Sequence, residues 1–264
     1  MAKKLAVITG ASSGIGYELA KQFAQNGYDI FITSESPGIY NAELEFREFG
    51  TQVHVLEMDL RDSEGVELLY SRIKALNRPI DAIAINAGVG VGGASFSKTE
   101  LHREIDMVKL NVISTIHLTK LVLNDMLAQK SGKILFTSSV AALMPGPYES
   151  VYAGTKSFIL SFAEALRYEV QDKGVTITAL LPGPTETGFF RRACMEDTIV
   201  GKSKKDHPAR VAEQGFAALM RGDDICVAGS MMNKLQSFTA RFLSYSAVTR
   251  MHGSMSKPTK AANR

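Results

Sequence analysis

Seven short apolar runs, separated by helical stretches, constrain this chain more than any other feature. They are Leu5–Thr9, Ile30–Thr33, Val53–Glu57, Asp81–Ile85, Lys133–Thr137, Val175–Leu181 and Ile225–Ala228. Each is apolar on both faces, which a strand tolerates when its sheet is covered on both sides. Helices are expected between them: 15–26, 42–49, from Asp62 to about Leu76, 100–129 with room for a break, 151–171, and 209–220. Asp62 is placed to cap the third of these. Strands joined by helical crossovers pair in parallel. The expected fold is therefore α/β, a doubly wound parallel sheet of about seven strands with helices on both faces.

The length, 264 residues, would permit two small domains. No Pro/Ser/Gly-rich linker interrupts the alternation, so one domain over 1–252 is expected. It includes a loose substrate flap at about 183–207 and a helical segment at about 230–250, and a flexible tail follows over 253–264. Leu235, Phe238 and Phe242 share one face of that segment, read as packing on the protein's own body or on a partner subunit in preference to a membrane-surface helix. The formal charge of +3 is scattered, which argues against nucleic acid. Two cysteines, Cys194 and Cys226, are too few for a disulfide framework or a zinc site, so no metal is expected. The apolar run after MAKK reads as a buried first strand and not a signal peptide. No stretch approaches the roughly 18 apolar residues of a membrane span. A cytoplasmic protein is the expectation.

Gly10, Gly14 and Gly16 stand where the first strand turns into the first helix. Glycine there permits positive φ and a close approach of backbone N–H groups to a pyrophosphate, while the helix N-terminus adds partial positive charge. The spacing G-x-x-x-G-x-G differs from the more familiar G-x-G-x-x-G. Downstream, Tyr152 and Lys156 lie one helical turn apart in VYAGTK, and Ser139 ends the fifth strand in FTSSV. A phenol ordinarily ionises near pH ~10, and a neighbouring ammonium favours its phenolate. Positions i and i+4 share a helix face, so Lys156 reaches toward the Tyr152 hydroxyl. Ser139 would donate to a substrate oxygen, and Tyr152 would exchange a proton with it. A Tyr/Lys pair at this spacing is also a common surface pair, so the pair alone decides little.

Taken together and in order, TGASSGIG, INAG at Ile85–Gly88, Asn111 in KLNVIS, Ser139, Tyr152-x-x-x-Lys156 and LPGPTET at Leu181–Thr187 resemble the short-chain dehydrogenase/reductase family. The resemblance runs from about residue 3 to residue 190. It implies a Rossmann-type sheet, an NAD or NADP cofactor and a catalytic set of Asn111, Ser139, Tyr152 and Lys156. It assigns Gly10, Ser12, Ser13, Gly14, Ile15 and Gly16 to the pyrophosphate side. Asp59 and Leu60 would meet the adenine, with Asn86, Ala87 and Gly88 along the adenosine side. Lys156 would also hold a ribose hydroxyl, and Tyr152 lies beside the nicotinamide. Pro182, Gly183 and Thr185 would flank that ring, with Thr187 near its carboxamide or the phosphates. Asn111 would join a water-linked proton relay to Lys156. Family members of this type are usually dimers or tetramers built on the two long helices. Many relatives end with a strand and a glycine-rich D-G-G that packs on a neighbouring subunit, where this chain has GSMMNKLQSFTARFLSYSAVTRM; that departure points to a homodimer, with a homotetramer as the alternative.

Glu35 follows the second strand, where NADP-preferring relatives place a basic residue there or at Ser13. A carboxylate repels a 2′-phosphate or bonds a ribose diol, so NAD is favoured over NADP. NAD-preferring relatives place their acid one position earlier, at Ser34 here, and Ser34 and Ser36 could still accept a phosphate. Substrate contacts are expected from Val89–Ser97, from Gly183–His207 with Phe189, Phe190, Ala193, Cys194 and Met195, and from Met144 and Tyr148. That lining suits a mainly apolar ketone or secondary alcohol. The expected function is ketone–alcohol oxidoreduction. The alternatives are a non-catalytic dinucleotide-binding sensor or scaffold, and a dehydratase or epimerase that uses its cofactor transiently.

Overall fold

A computed structural model of the protein describes residues 3–230 and 244–259. Seven strands form one sheet in the order β3-β2-β1-β4-β5-β6-β7. They are β1 Leu5–Thr9, β2 Asp29–Ser34, β3 Val53–Glu57, β4 Ala82–Ile85, β5 Gly132–Thr137, β6 Val175–Pro182 and β7 Ile225–Ala228. Every pairing is parallel, from Leu5 opposite Asp29 to Pro182 opposite Ala228.

Alternation along the strands divides the core into two layers. Leu5, Val7, Ile83, Ile85, Ile134 and Phe136 face helices α3 Ser63–Lys74, α5 Ser114–Ala128 and α6 Ser150–Val170. Ala6, Ile8, Ala82, Ala84 and Leu135 face α1 Gly14–Gln25, α2 Ile39–Arg47 and α9 Pro208–Arg221. The smaller strand residues of the second layer admit large helix side chains such as Phe23, Phe46 and Phe216. Burying each such side chain contributes about 1.5–3 kcal/mol.

The sheet grows outward from β1 in both directions, which leaves a crevice at the carboxyl ends of β1 and β4, where the strand order reverses. The expected break in the 100–129 helix is a π-turn at Lys109–Ile113, between α4 Leu101–Val108 and α5. Such a turn inserts one residue into the helix and re-aims its side chains, here around Asn111.

Three local expectations need correction. Asp62 occupies the N-cap of α3 with extended backbone, but its side chain makes no cap hydrogen bond. The 183–207 segment carries two single-turn helices, α7 Phe189–Arg192 and α8 Ile199–Lys202, and a bridge pairs Thr185 with Asp206. The flexible tail expected from 253 instead continues a helix, α10 Tyr245–Ser256, with Ser256 fully buried. Gly253 and Ser254 are poor helix formers, which suggests an early stop in sequence, and docking overrides them. Leu235, Phe238 and Phe242 lie outside the described residues.

Candidate functional site

The crevice encloses about 480 Å³, within the range of small-molecule sites. Gly10 and Gly14 adopt φ +69° and +61°, a region costly for other residues. A Cβ on Gly10 would stand 2.9 Å from the Ala87 Cα, and one on Gly16 would overlap the Gly10 carbonyl oxygen and the Asn86 amide. The loop is thus a cradle only glycine can line. It opens onto α1, whose first turn has no acidic residue and whose N-cap, Ser13, makes no side-chain cap. Those N–H groups and the dipole behind them fit a pyrophosphate.

Thr9 Oγ1 accepts the backbone N–H groups of Asn86 and Ala87 at 3.0 and 2.9 Å. Asn86 Nδ2 donates to the Thr9 carbonyl at 3.1 Å, and Thr137 Oγ1 donates to Asn86 Oδ1 at 3.0 Å. Asn86 therefore lines the crevice while its side chain stitches β1, β4 and β5 together. Thr9 and Thr137 were missed as site residues; a hydroxyl at a strand's carboxyl end was their only signal.

At the adenosine end, the Ser12 and Ser34 hydroxyls lie 2.9 Å apart. Arg61, also unforeseen, donates to Glu35 at 2.7 Å and chelates Asp59 through Nε at 2.8 and 3.0 Å. Burial would raise the Asp59 carboxyl, but the bonds from Arg61 carry it below its ordinary value. Glu35 is half exposed and engaged by this arginine.

Tyr152 and Lys156 are buried on the first turns of α6. Lys156 Nζ donates to the Thr137 carbonyl at 2.9 Å and lies 5.8 Å from the centre of the Tyr152 ring. Burial pushes its ammonium down to about 8. The phenol behaves opposite to the expectation from its lysine neighbour: burial, then the Glu149 carboxylate, hold it well above the usual tyrosine range, and a hydrogen bond from Ser139 pulls the other way. At neutral pH the phenol therefore stays protonated.

Every expected cofactor residue lines the crevice, together with Ser139, Tyr152 and Lys156. Asn111 does not. Its Oδ1 accepts from Val89 N at 3.0 Å, and its Nδ2 donates to the Val89 carbonyl and Thr155 Oγ1 at 2.9 and 3.1 Å. A Cβ on Gly88 would stand 3.1 Å from Asn111 Oδ1 and 3.3 Å from Lys156 Nζ. Asn111 Oδ1 and Lys156 Nζ thus both approach the Cβ-facing side of Gly88.

At the substrate end, Met144, Phe189, Phe190 and Met195 line the crevice as expected. Tyr148, Ala193 and Cys194 do not, and of Val89–Ser97 only Val89 does. Gly90, Gly92 and Gly93 instead make room for Phe189, Met195 and Cys194 of the flap, and Gly92 N donates to the Ala193 carbonyl at 3.0 Å. That segment supports the flap from behind. Glu149, Arg192, Met251, His252 and Met255 also line this end. Of the last three, Met255 falls in the expected tail, and Met251 and His252 lie just before it, past the expected helical segment.

A dinucleotide cradle, a buried acid and an adjacent ammonium on one crevice define an oxidoreductase site. Comparison with known proteins agrees: residues 4–197 match the family model for short chain dehydrogenase. The oxidoreductase UcpA of Salmonella typhimurium is 31% identical over 217 residues, 82% of this chain and 80% of that protein. Serine 3-dehydrogenase of Agrobacterium fabrum is 32% identical over 183 residues, 69% and 72% of the two chains. A short-chain dehydrogenase from Sphingobium yanoikuyae in complex with NADPH superposes with TM-score 0.81 at 23% identity, covering 99% of each chain. One from Burkholderia phymatum in complex with NAD gives 0.82 at 20%, covering 99% of this chain and 98% of that one. The chain belongs to the short-chain dehydrogenase/reductase family of NAD(P)-dependent oxidoreductases.

Proposed function

We propose that this enzyme interconverts a mainly apolar ketone and its secondary alcohol. The observation that carries the reading is one cluster, the half-buried Ser139 beside the buried Tyr152 and Lys156, opening onto a wall of methionine and phenylalanine side chains. When bound, the nicotinamide supplies or takes up the hydride. Ser139 Oγ donates a hydrogen bond to the carbonyl oxygen. Tyr152 Oη gives its proton to that oxygen as it becomes an alcohol, and recovers one from the Lys156 side. In the oxidative direction the phenolate takes the alcohol proton. Lys156 also holds a ribose hydroxyl. Asn111 serves the relay across Gly88, fixing the Gly88–Val89 turn beside Lys156.

The glycine cradle holds the pyrophosphate, Asp59 and Leu60 the adenine side, and Pro182, Gly183, Thr185 and Thr187 the nicotinamide side. Glu35 favours NAD over NADP; the similar structures include one in complex with each form. The non-catalytic sensor reading is disfavoured by relatives named as an oxidoreductase and a dehydrogenase. We read the described residues as one catalytic unit, since all seven strands share one sheet. Exposed Leu101, Ile105, Ile113, Ile116 and Phe158 on α4 to α6 support pairing of two copies through these helices. Among the described residues no helix is long and apolar enough to cross a membrane.

The test is a panel of apolar ketones, secondary alcohols and serine, assayed with NADH, NADPH and their oxidised forms by nicotinamide absorbance. Turnover of apolar ketones is expected. Turnover of serine alone would overturn the apolar assignment.

A further inference from the structure

None of the steps above uses the cluster around Glu149. Its side chain is buried, three residues before Tyr152. Oε1 lies 2.7 Å from His252 Nε2 and accepts from Ser256 Oγ at 3.0 Å. A carboxylate oxygen only accepts, which assigns the Nε2 proton to the histidine. Both partners come from α10, more than a hundred residues away. A buried carboxylate persists only with such partners.

Residues four apart share a helix face. His252 and Ser256 form one stripe of α10, turned to Glu149; Met251 and Met255 form the neighbouring stripe and line the crevice. Beyond the helix, Thr259 N donates to the Asp197 carbonyl at 2.9 Å, Lys202 Nζ donates to Thr259 Oγ1 at 2.7 Å, and Pro258 bridges Thr198. The C-terminal helix is thus joined to the flap at one end and to the catalytic helix at the other.

We propose that Glu149 and His252 are positioning residues that latch the C-terminal helix onto the N-terminal end of α6, so that Met251 and Met255 complete the substrate wall. Substrate enclosure is then set by the residue one turn before the acid. The Glu149 charge also helps keep the proton on Tyr152, so docking of α10 and the protonation of the phenol converge on one side chain.

The kinetic arm of the test rests on the ketone reading; the exchange arm does not. His252→Ala and the conservative His252→Gln are compared with wild type by amide hydrogen exchange over 245–256, by NADH affinity, and by KM and kcat for the ketone found by the panel. His252→Ala is expected to speed exchange in 245–256 but not in α6, to leave NADH affinity unchanged, and to raise KM about tenfold or more, as loss of a hydrogen bond to a charged group does. His252→Gln retains a donor and should return both exchange and KM most of the way to wild type. Unchanged protection of 245–256, or a wild-type KM in His252→Ala, overturns the latch. A wild type that reduces no ketone contradicts the redox reading instead, and the exchange result then decides the latch alone.

Discussion

Lys156 Nζ stands 5.8 Å from the centre of the Tyr152 ring, with its hydrogen bond directed to the Thr137 carbonyl. The lysine therefore lies beside the phenol with one N–H committed to the backbone of β5, which leaves two for the ribose and proton-supply roles proposed for it. The same burial acts on the two groups in opposite senses, favouring the neutral amine and the neutral phenol.

Tyr152→Phe keeps the ring that packs 5.1 Å from Phe189 and removes only the proton donor. Turnover should fall by about 10²–10⁴, the usual worth of general acid–base catalysis, with NADH affinity unchanged. Stopped-assay kinetics and fluorescence titration check both. Near-normal turnover would remove Tyr152 from the proton path.

Carbonyl reduction should weaken as pH rises through about 8, where Lys156 loses its ammonium. Stability should move the other way. Lys156 binds its proton less tightly when folded, so above about pH 8 the unfolded chain holds more protons at this site. Its contribution to stability therefore rises with pH until the ordinary lysine value of about 10.4. The raised Tyr152 acts above its own ordinary value of about 10 and with the reverse sign. A pH–rate profile paired with urea melts from about pH 7 to about pH 10, across most of the Lys156 window, reads both trends.

Gly16→Ala forces a Cβ into the Gly10 carbonyl and the Asn86 amide. The loop should shift at a cost of about 1–3 kcal/mol, and NADH affinity should drop in step. Calorimetric titration and thermal melts measure the two losses.

Much of this was legible from residue order. Apolar runs with both faces filled gave the strands, and the glycines gave the cradle, because backbone sterics leave few other uses for them. Arg61 was not legible: its role depends on Glu35 and Asp59 meeting across two loops. The wall from α10 was hidden for the same reason. Glycine and serine near its end suggest fraying, and only the distant Glu149 supplies a partner for His252 and Ser256. The sign of the Tyr152 shift also required burial, which sequence spacing does not report.

Glu35→Arg removes the carboxylate that Arg61 engages and places a second guanidinium at the adenosine end. The ratio of kcat/KM for NADPH over NADH should rise about tenfold, equal to 1.4 kcal/mol. Fold stability should change by under about 1 kcal/mol, since the ion pair is largely exposed. An unchanged ratio would take Glu35 out of the ribose site.

The most direct measurement follows a deuterium atom. The enzyme is incubated with NADH deuterated at nicotinamide C4 and an apolar ketone, and the product alcohol is read by mass spectrometry and NMR. Deuterium on the carbinol carbon, appearing about 10²–10⁴ times more slowly when Tyr152→Phe replaces wild type, is the predicted result. Tight NADH binding with no label in any alcohol would contradict it and leave a dinucleotide-binding protein without redox chemistry.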